Sequence, residues 1–319
     1  MPLSETPASI LRFILTSKCN LRCIYCHNEG FKTEEEFSPL PLSELKRILR
    51  LLKHKGVSSV CISGGEPLAV VSFPEILLSV VNIFGGENVH VSTNGTLLGK
   101  HLDLIKDAGV SRINISCDAI ERTGYKRITG RDSFNGVIKN IEQAVGCGFF
   151  VNVNCVALKG INTDRDYIYS ILDFWKDKGI RLSILRLCFA SEGLNEYRYD
   201  INELVDLFNS KAIPSYLTLN SNRPPTLCYK YHGMEVALRY YVPDRSNLPC
   251  KQCHKRPICS EGLYHPRLAL NGFIRSCILR DDLGLDLTSE GASGAPLDDF
   301  LRMFYSIPST WAPATCETP

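Results

Sequence analysis

Three cysteines within eight residues, Cys19-Asn-Leu-Arg-Cys23-Ile-Tyr-Cys26, constrain this chain more than any other feature. They follow the apolar run Ile10 to Leu15, which reads as a strand, so their loop hangs from a strand's carboxyl end. Thiolates this close can wrap one soft metal centre, and an iron–sulfur cluster is the first candidate. A closed four-iron cluster needs four protein ligands, and the loop supplies three. One iron is left open, much as an open position marks a catalytic rather than a structural zinc. A zinc site made of the three cysteines and the adjacent His27 is the alternative that the spacing leaves standing.

With 319 residues the chain can form one large domain with an appendage, or two domains. A net charge of +2 calls for no nucleic-acid partner and no acidic membrane surface. No apolar run approaches the ~20 residues of a membrane span. The basic stretch Lys46 to Lys55 is interleaved with Leu45, Ile48, Leu49 and Leu52, and reads as the solvated face of a helix. Fourteen cysteines is heavy usage, yet Met1-Pro-Leu-Ser-Glu-Thr-Pro7 has neither the basic start nor the apolar core of a signal peptide. A reducing, cytoplasmic setting is expected, where clustered cysteines favour metals over disulfides. Cys61, Cys117, Cys147, Cys155, Cys188, Cys228 and Cys316 stand apart and read as small buried hydrophobes or free thiols.

From Ile10 to about Arg186, β-rich runs alternate with amphipathic helices. Strands are expected at Ser58–Ile62, Val89–Ser92, Arg112–Ser116, Val151–Leu158 and Arg181–Leu187. Helices are expected at Ser43–Lys55, with Ser43 as N-cap and Gly56 closing it, and from Asp132-Ser133, where Phe134, Val137, Ile138, Ile141 and Val145 share a stripe ending before Gly146. The strand starts lie roughly 25–40 residues apart, the length of a βα unit. Six such units favour a partial βα barrel over a closed eight-stranded one. Sites in α/β folds form at the strands' carboxyl ends. There the chain places the cysteine loop, then Ser63-Gly64-Gly65-Glu66-Pro67, Ser92-Thr93-Asn94-Gly95 and Ser116-Cys117-Asp118.

The cysteine spacing, with Tyr25 before the last cysteine, resembles the signature of the radical S-adenosylmethionine (SAM) superfamily, and Gly64-Gly65-Glu66-Pro67 resembles its SAM-binding motif. Further segments resemble the molybdenum-cofactor GTP cyclase (MoaA) family: Arg12 seven residues before Cys19, Ser92-Thr-Asn-Gly95, Ile113-Asn-Ile-Ser-Cys-Asp118, Ile128-Thr-Gly-Arg-Asp-Ser-Phe134 and Asn154-Cys-Val-Ala-Leu-Lys-Gly-Ile-Asn162. The resemblance runs from Leu11 to about Glu192. It implies that Cys19, Cys23 and Cys26 hold a [4Fe-4S] cluster whose open iron SAM chelates. An electron then cleaves SAM to methionine and a 5′-deoxyadenosyl radical. Tyr25, Gly65 and Ser116 would contact SAM, with Gly64, Glu66 and Asn94 in the same pocket, while Arg12 and Thr93 would touch the substrate. Two cations that the family presents to GTP fall on Cys61 and Asn152, and a SAM-contacting methionine falls near Cys188. GTP is therefore not the expected substrate.

Between Leu194 and Leu248 the pattern is weaker: a helix at Asn202–Phe208, a loop at Asn222-Arg-Pro-Pro225 and another at Pro243–Pro249. A second group follows, Cys250-Lys-Gln-Cys253, then Cys259 and Cys277, with a hairpin turning at Asn271-Gly272 that returns Cys277 toward the others. This resembles the cyclases' carboxy-terminal cluster region, but with four cysteines where the family has three. The family's diglycine tail has no counterpart in Cys316-Glu-Thr-Pro319. The expectation is an α/β protein: a partial (βα)6 radical SAM core barrel over 1–193, barrel completion and linker over 194–249, and an iron–sulfur-binding segment over 250–319. Its cofactors would be SAM on one [4Fe-4S] cluster and a second [4Fe-4S] cluster held by Cys250, Cys253, Cys259 and Cys277. Its partners would be a small polar substrate and an electron donor such as flavodoxin or ferredoxin. The other readings are a GTP cyclase, a peptide-modifying radical SAM enzyme and a zinc-binding protein that is not an enzyme.

Overall fold

The computed structural model describes residues 9–31, 38–188, 193–211, 213–220, 223–238, 248–255, 259, 263, 265–280, 282–289 and 294–305. Six parallel strands form its centre: β1 (Ser9–Ile14), β2 (Val57–Ser63), β3 (Val89–Thr93), β4 (Arg112–Ser116), β5 (Phe150–Ala157) and β6 (Arg181–Arg186), adjacent in chain order. Between them run the helices α1 (Leu42–His54), α2 (Phe73–Phe84), α3 (Leu102–Asp107), α4 (Arg122–Thr129), α5 (Phe134–Gly146) and α6 (Arg165–Trp175). This is the partial (βα)6 barrel that the rhythm of the sequence predicts.

Each helix turns an apolar stripe to the sheet. In α1 the stripe is Leu45, Ile48, Leu49 and Leu52, all buried at helical spacing. Ser43 does not cap that helix. Pro41 does, its carbonyl accepting from the amides of Glu44 and Leu45 at 2.9 and 3.1 Å, which places Ser43 within the first turn. The α5 stripe holds as predicted, with Phe134, Val137 and Ile141 buried and Ile138 and Val145 packed against the core.

After β6 come α7 (Asn202–Ser210), β7 (Ser215–Asn220), β8 (Arg223–Tyr231) and β9 (Met234–Leu238), then α8 (Leu248–Lys251). β9 pairs parallel with β6, and β8 and β7 continue antiparallel beyond it. Of the loop expected at Asn222–Pro225, Asn222 lies outside the described residues, and Arg223 to Pro225 are instead the start of β8. β8 meets β9 only from Leu227, and its register with β7 shifts between Thr218 and Asn220. Pro224 and Pro225 therefore lie where the strand is paired on one side only, the position that a sheet tolerates for proline. Of the loop expected at Pro243–Pro249, residues 243–247 lie outside the described residues, and α8 begins at Leu248.

The hairpin at Asn271-Gly272 is present. β10 (Arg267–Ala269) and β11 (Phe273–Arg275) are antiparallel, Gly272 takes φ +85°, and the Asn271 side-chain oxygen accepts from the Phe273 amide at 3.0 Å. β12 (Gly284–Asp286) and α9 (Ala295–Tyr305) follow. β10 lies parallel to β1, so the carboxy-terminal strands extend the sheet at its first edge. One sheet of twelve strands thus runs through the described residues. Among them no helix is long and apolar enough to cross a membrane.

Candidate active site

Closed (βα)8 barrels fill their interior with branched apolar side chains. This barrel does the reverse. On β1, Leu11 and Phe13 are fully buried, whereas Arg12 between them lines a cavity. The register carries this face around the sheet through Arg267, Arg12, Cys61, His90, Arg112 and Phe150, four of the six bearing a cationic or imidazole side chain. A second row reads Ser92, Asn114, Asn152 and Arg181, and a third Ser116, Asn154 and Ser183. These residues surround a cavity of about 550 Å³, within the range of small-molecule and cofactor sites.

Cys19, Cys23 and Cys26 line that cavity. The loop carrying them is held from three sides. Beneath it, the Gly65 and Glu66 amides donate to the carbonyls of Thr16 and Lys18 at 2.6 and 2.9 Å. A Cβ on Gly65 would sit 2.2 Å from the Lys18 oxygen, so only glycine lets the two backbones meet. Beside it, Asn94 donates to Asn20 at 2.7 Å and to the Cys19 sulfur at 3.5 Å. On the far side, the amides of Arg22 and Ile24 donate to the carbonyls of Thr129 and Ile128 at the end of α4, at 2.8 and 3.0 Å. Tyr25 closes the arrangement, its hydroxyl donating to Asp118 at 2.6 Å.

Burial pushes all three thiols above their ordinary value, Cys23 most, where Asp118 and the other two cysteines add to the effect. Loading a metal here therefore releases protons. Among the described residues no three His, Cys, Asp or Glu side chains converge on a single ion. A four-iron cluster takes each thiolate on a different iron, and three thiols around a polar cavity match its ligand chemistry. The residues present fit the group.

Glu66 stands behind the cavity wall. It is fully buried, accepts from the Thr93 hydroxyl at 2.7 Å and from the amides of Asn94 and Leu68 at 2.8 and 3.1 Å, and so braces the ends of β2 and β3. Burial pushes its pKa up to about 7 against those three hydrogen bonds. Thr93, Asn94, Gly64, Gly65, Ser116 and Tyr25 reach the cavity itself.

The partner of Arg12 escaped sequence reasoning. Glu29, 9% exposed, pairs through one oxygen with Arg12 and through the other with Arg267, the latter at 3.1 Å. Burial favours its neutral form, but Arg12, Arg267 and His27 outweigh that and hold it well below the usual carboxylate range. Asn28 and Glu29 both adopt left-handed backbone, at φ +47° and +53°, a conformation that costs of order 1 kcal/mol or more per residue. Arg112 differs from Arg12. It stacks on Phe150 at 4.7 Å, and no carboxylate among the described residues pairs with it. Its neighbour Arg181 pairs with Glu235.

Cys250, Cys253, Cys259 and Cys277 are all half-buried. The Cys253 amide donates to the Cys250 carbonyl at 3.3 Å, and Arg280, three residues after Cys277, donates to the Pro249 carbonyl at 3.2 Å. The segment reaches the cavity through His265, Arg267 and Ile278. Of the isolated cysteines, Cys61, Cys117, Cys155 and Cys228 are buried and Cys147 and Cys188 partly so; Cys316 lies outside the described residues.

The sequence profile of the radical SAM superfamily matches residues 13–172. The chain belongs to the radical SAM superfamily, as a MoaA-like member of it. It is an enzyme of that class, with SAM and an iron–sulfur cluster as cofactors. Its relatives include the probable GTP 3′,8-cyclase of Methanocella arvoryzae, 34% identical over 265 residues that cover 82% of each chain. The GTP 3′,8-cyclase of Campylobacter fetus subsp. fetus is 30% identical over 260 residues, 81% of this chain and 79% of that one. Among solved structures, Streptococcus suis SuiB bound to its precursor peptide SuiA superposes with a TM-score of 0.63 at 18% identity, over 95% of this chain and 66% of that one. Native anSMEcpe with bound AdoMet gives 0.62 at 17% identity, over 92% and 80%. At such identities the two structures speak for the fold alone.

Proposed function

We propose that Cys19, Cys23 and Cys26 hold the [4Fe-4S] cluster on which SAM binds, and that the enzyme removes hydrogen from a small polar substrate, a nucleoside, nucleotide or sugar derivative. The observation that carries this is a polar cavity with the three thiols on its wall. The cluster with SAM supplies the 5′-deoxyadenosyl radical, and the chain supplies placement and shelter from water. Tyr25, Gly64, Gly65, Asn94 and Ser116 form the SAM side of the cavity, with Glu66 bracing it from behind. Thr93 and Arg12 face the substrate, Arg12 with its charge shared by Glu29. Arg112, with Arg181 beside it, receives an anionic group from the substrate's far end.

Cys250, Cys253, Cys259 and Cys277 hold a second [4Fe-4S] cluster in the segment 250–319, beside the 1–193 core and the completing segment 194–249. A flavodoxin or ferredoxin in the cytoplasm supplies the electron. A second reading, GTP 3′,8-cyclase, is favoured by the relatives' names. It gains further support because Arg112 and Arg181 share rows with Cys61 and Asn152, where the resemblance loses its GTP-contacting cations.

An anaerobic turnover screen separates the two. Deuterium-labelled GTP, nucleosides and nucleotide sugars are each supplied, and label entering 5′-deoxyadenosine is followed. Transfer is expected from a substrate other than GTP that bears a phosphate or carboxylate. Efficient transfer from the ribose of GTP with a cyclised purine product establishes the second reading instead. No reductive cleavage of SAM under any condition sinks both.

A further inference from the structure

Tyr125 is 1% exposed, and its hydroxyl has no hydrogen-bond partner among the described residues. A buried hydroxyl left unpaired costs roughly 1–3 kcal/mol, so an orphan of this kind calls for a ligand that the bare chain does not supply. Its position indicates which one. Tyr125 lies on the inner face of α4, one turn before Thr129, whose hydroxyl donates to the Tyr125 carbonyl at 2.7 Å. The cysteine loop runs along that same end of α4, with the Arg22 and Ile24 amides bonded to the Thr129 and Ile128 carbonyls. Cys23 sits between those two anchors. The ionisable groups acting most strongly on the Tyr125 hydroxyl are Cys117, Cys23, Asp118 and Cys19. Asp118 already accepts from Tyr25 and from the Val156 amide at 2.6 and 2.7 Å, and the Cys117 thiol donates to the Ala119 carbonyl at 3.4 Å. None of the four is within hydrogen-bond reach of the hydroxyl, and Cys23 and Cys19 belong to the cluster loop.

We infer that the Tyr125 hydroxyl donates a hydrogen bond to the cluster of the first cysteine loop, at the Cys23 sulfur or a sulfide beside it, and so eases the cluster's reduction. This rests on the proposed function, which puts a cluster there. Hydrogen bonds to cluster sulfurs stabilise the more negative, reduced state and raise the potential. Nothing in the sequence marks the residue, because its ring alone would satisfy the apolar stripe of α4.

The test is Tyr125→Phe in the anaerobically reconstituted full chain. Phe keeps the ring contact with Phe134, 5.9 Å between centroids, and removes a hydroxyl that no protein group needs, so the fold is expected to hold. The SAM-sensitive electron paramagnetic resonance signal is titrated against potential in both proteins. In the variant the reduction equilibrium of that cluster is expected to fall about threefold to tenfold, and a tenfold fall is 59 mV for a one-electron couple. An exchangeable-proton coupling on the reduced cluster should vanish with it. An unchanged potential overturns the inference, and so does loss of the cluster's iron, since a tuning contact does not hold the metal. Absence of any SAM-sensitive cluster signal in the unaltered enzyme would instead strike at the proposed function.

Discussion

Replacing Cys19, Cys23 and Cys26 together by Ala is expected to abolish reductive cleavage of SAM while lowering bound iron from about eight to about four atoms per chain. The loop's anchors are backbone bonds from Arg22, Ile24, Gly65 and Glu66, which Ala at the three positions leaves in place. The second cysteine group lies on a separate segment with its own anchors. Its iron should survive. Iron and sulfide analysis with a 5′-deoxyadenosine assay decides the matter. Continued 5′-deoxyadenosine formation removes the loop from catalysis, and loss of all iron means that the two groups depend on one another. Zinc at either position in the unaltered protein restores the zinc reading for that site.

Glu29→Gln should have the largest effect on stability. Removing one member of a buried ion pair leaves an uncompensated charge and costs about 3–5 kcal/mol, and here one carboxylate serves two guanidiniums. Gln keeps one acceptor oxygen, so the lower end of that range is expected from urea unfolding at pH 7. Glu29 titrates well below the usual carboxylate range in the folded chain. Its contribution is therefore complete above an unfolded value of about 4.3 and is lost as pH falls toward the depressed folded value. The gap between the two proteins should close at acid pH. Glu66 and Asp118 act in the opposite sense, since burial raises them to about 7 and about 6. Each weakens the fold as pH climbs from about 4 toward those values. Freed of Glu29, Arg12 and Arg267 should bind inorganic pyrophosphate more tightly than in the unaltered protein. Equal stability and equal pyrophosphate binding at pH 7 would show that the bridge carries neither stability nor selectivity.

The contrast between Arg12 and Glu29 shows what sequence reasoning reaches. The cysteine loop, the glycine pair and the strand ends are local patterns, set by spacing and turn chemistry over a few residues. They are found where expected. Glu29 is local to nothing that explains it: its second partner, Arg267, stands 238 positions away. Glu66 looks like a pocket residue by its motif and serves as a brace, because its oxygens are consumed by Thr93, Asn94 and Leu68. The region around Arg223–Pro225 reads as a loop because proline is scored against strands. Whether a strand can bear it depends on which edge is paired, and no local window contains that. The unpaired hydroxyl of Tyr125 is of the same kind, visible only once its neighbours are assembled.

The parallel pairing of β1 with β10 also sets an order of events. Until Arg267–Ala269 have been made, β1 has β2 on one side and a bare edge on the other. At roughly 5–20 residues per second, the interval between the two strands lasts on the order of ten seconds to a minute. Through that time the newly made loop of Cys19 stands beside an open strand, and such edges recruit foreign strands. Contacts this distant in sequence also close slowly. Once β10 docks beside β1 and Arg267 meets Glu29, that edge is closed by a strand the ribosome makes about 250 residues later.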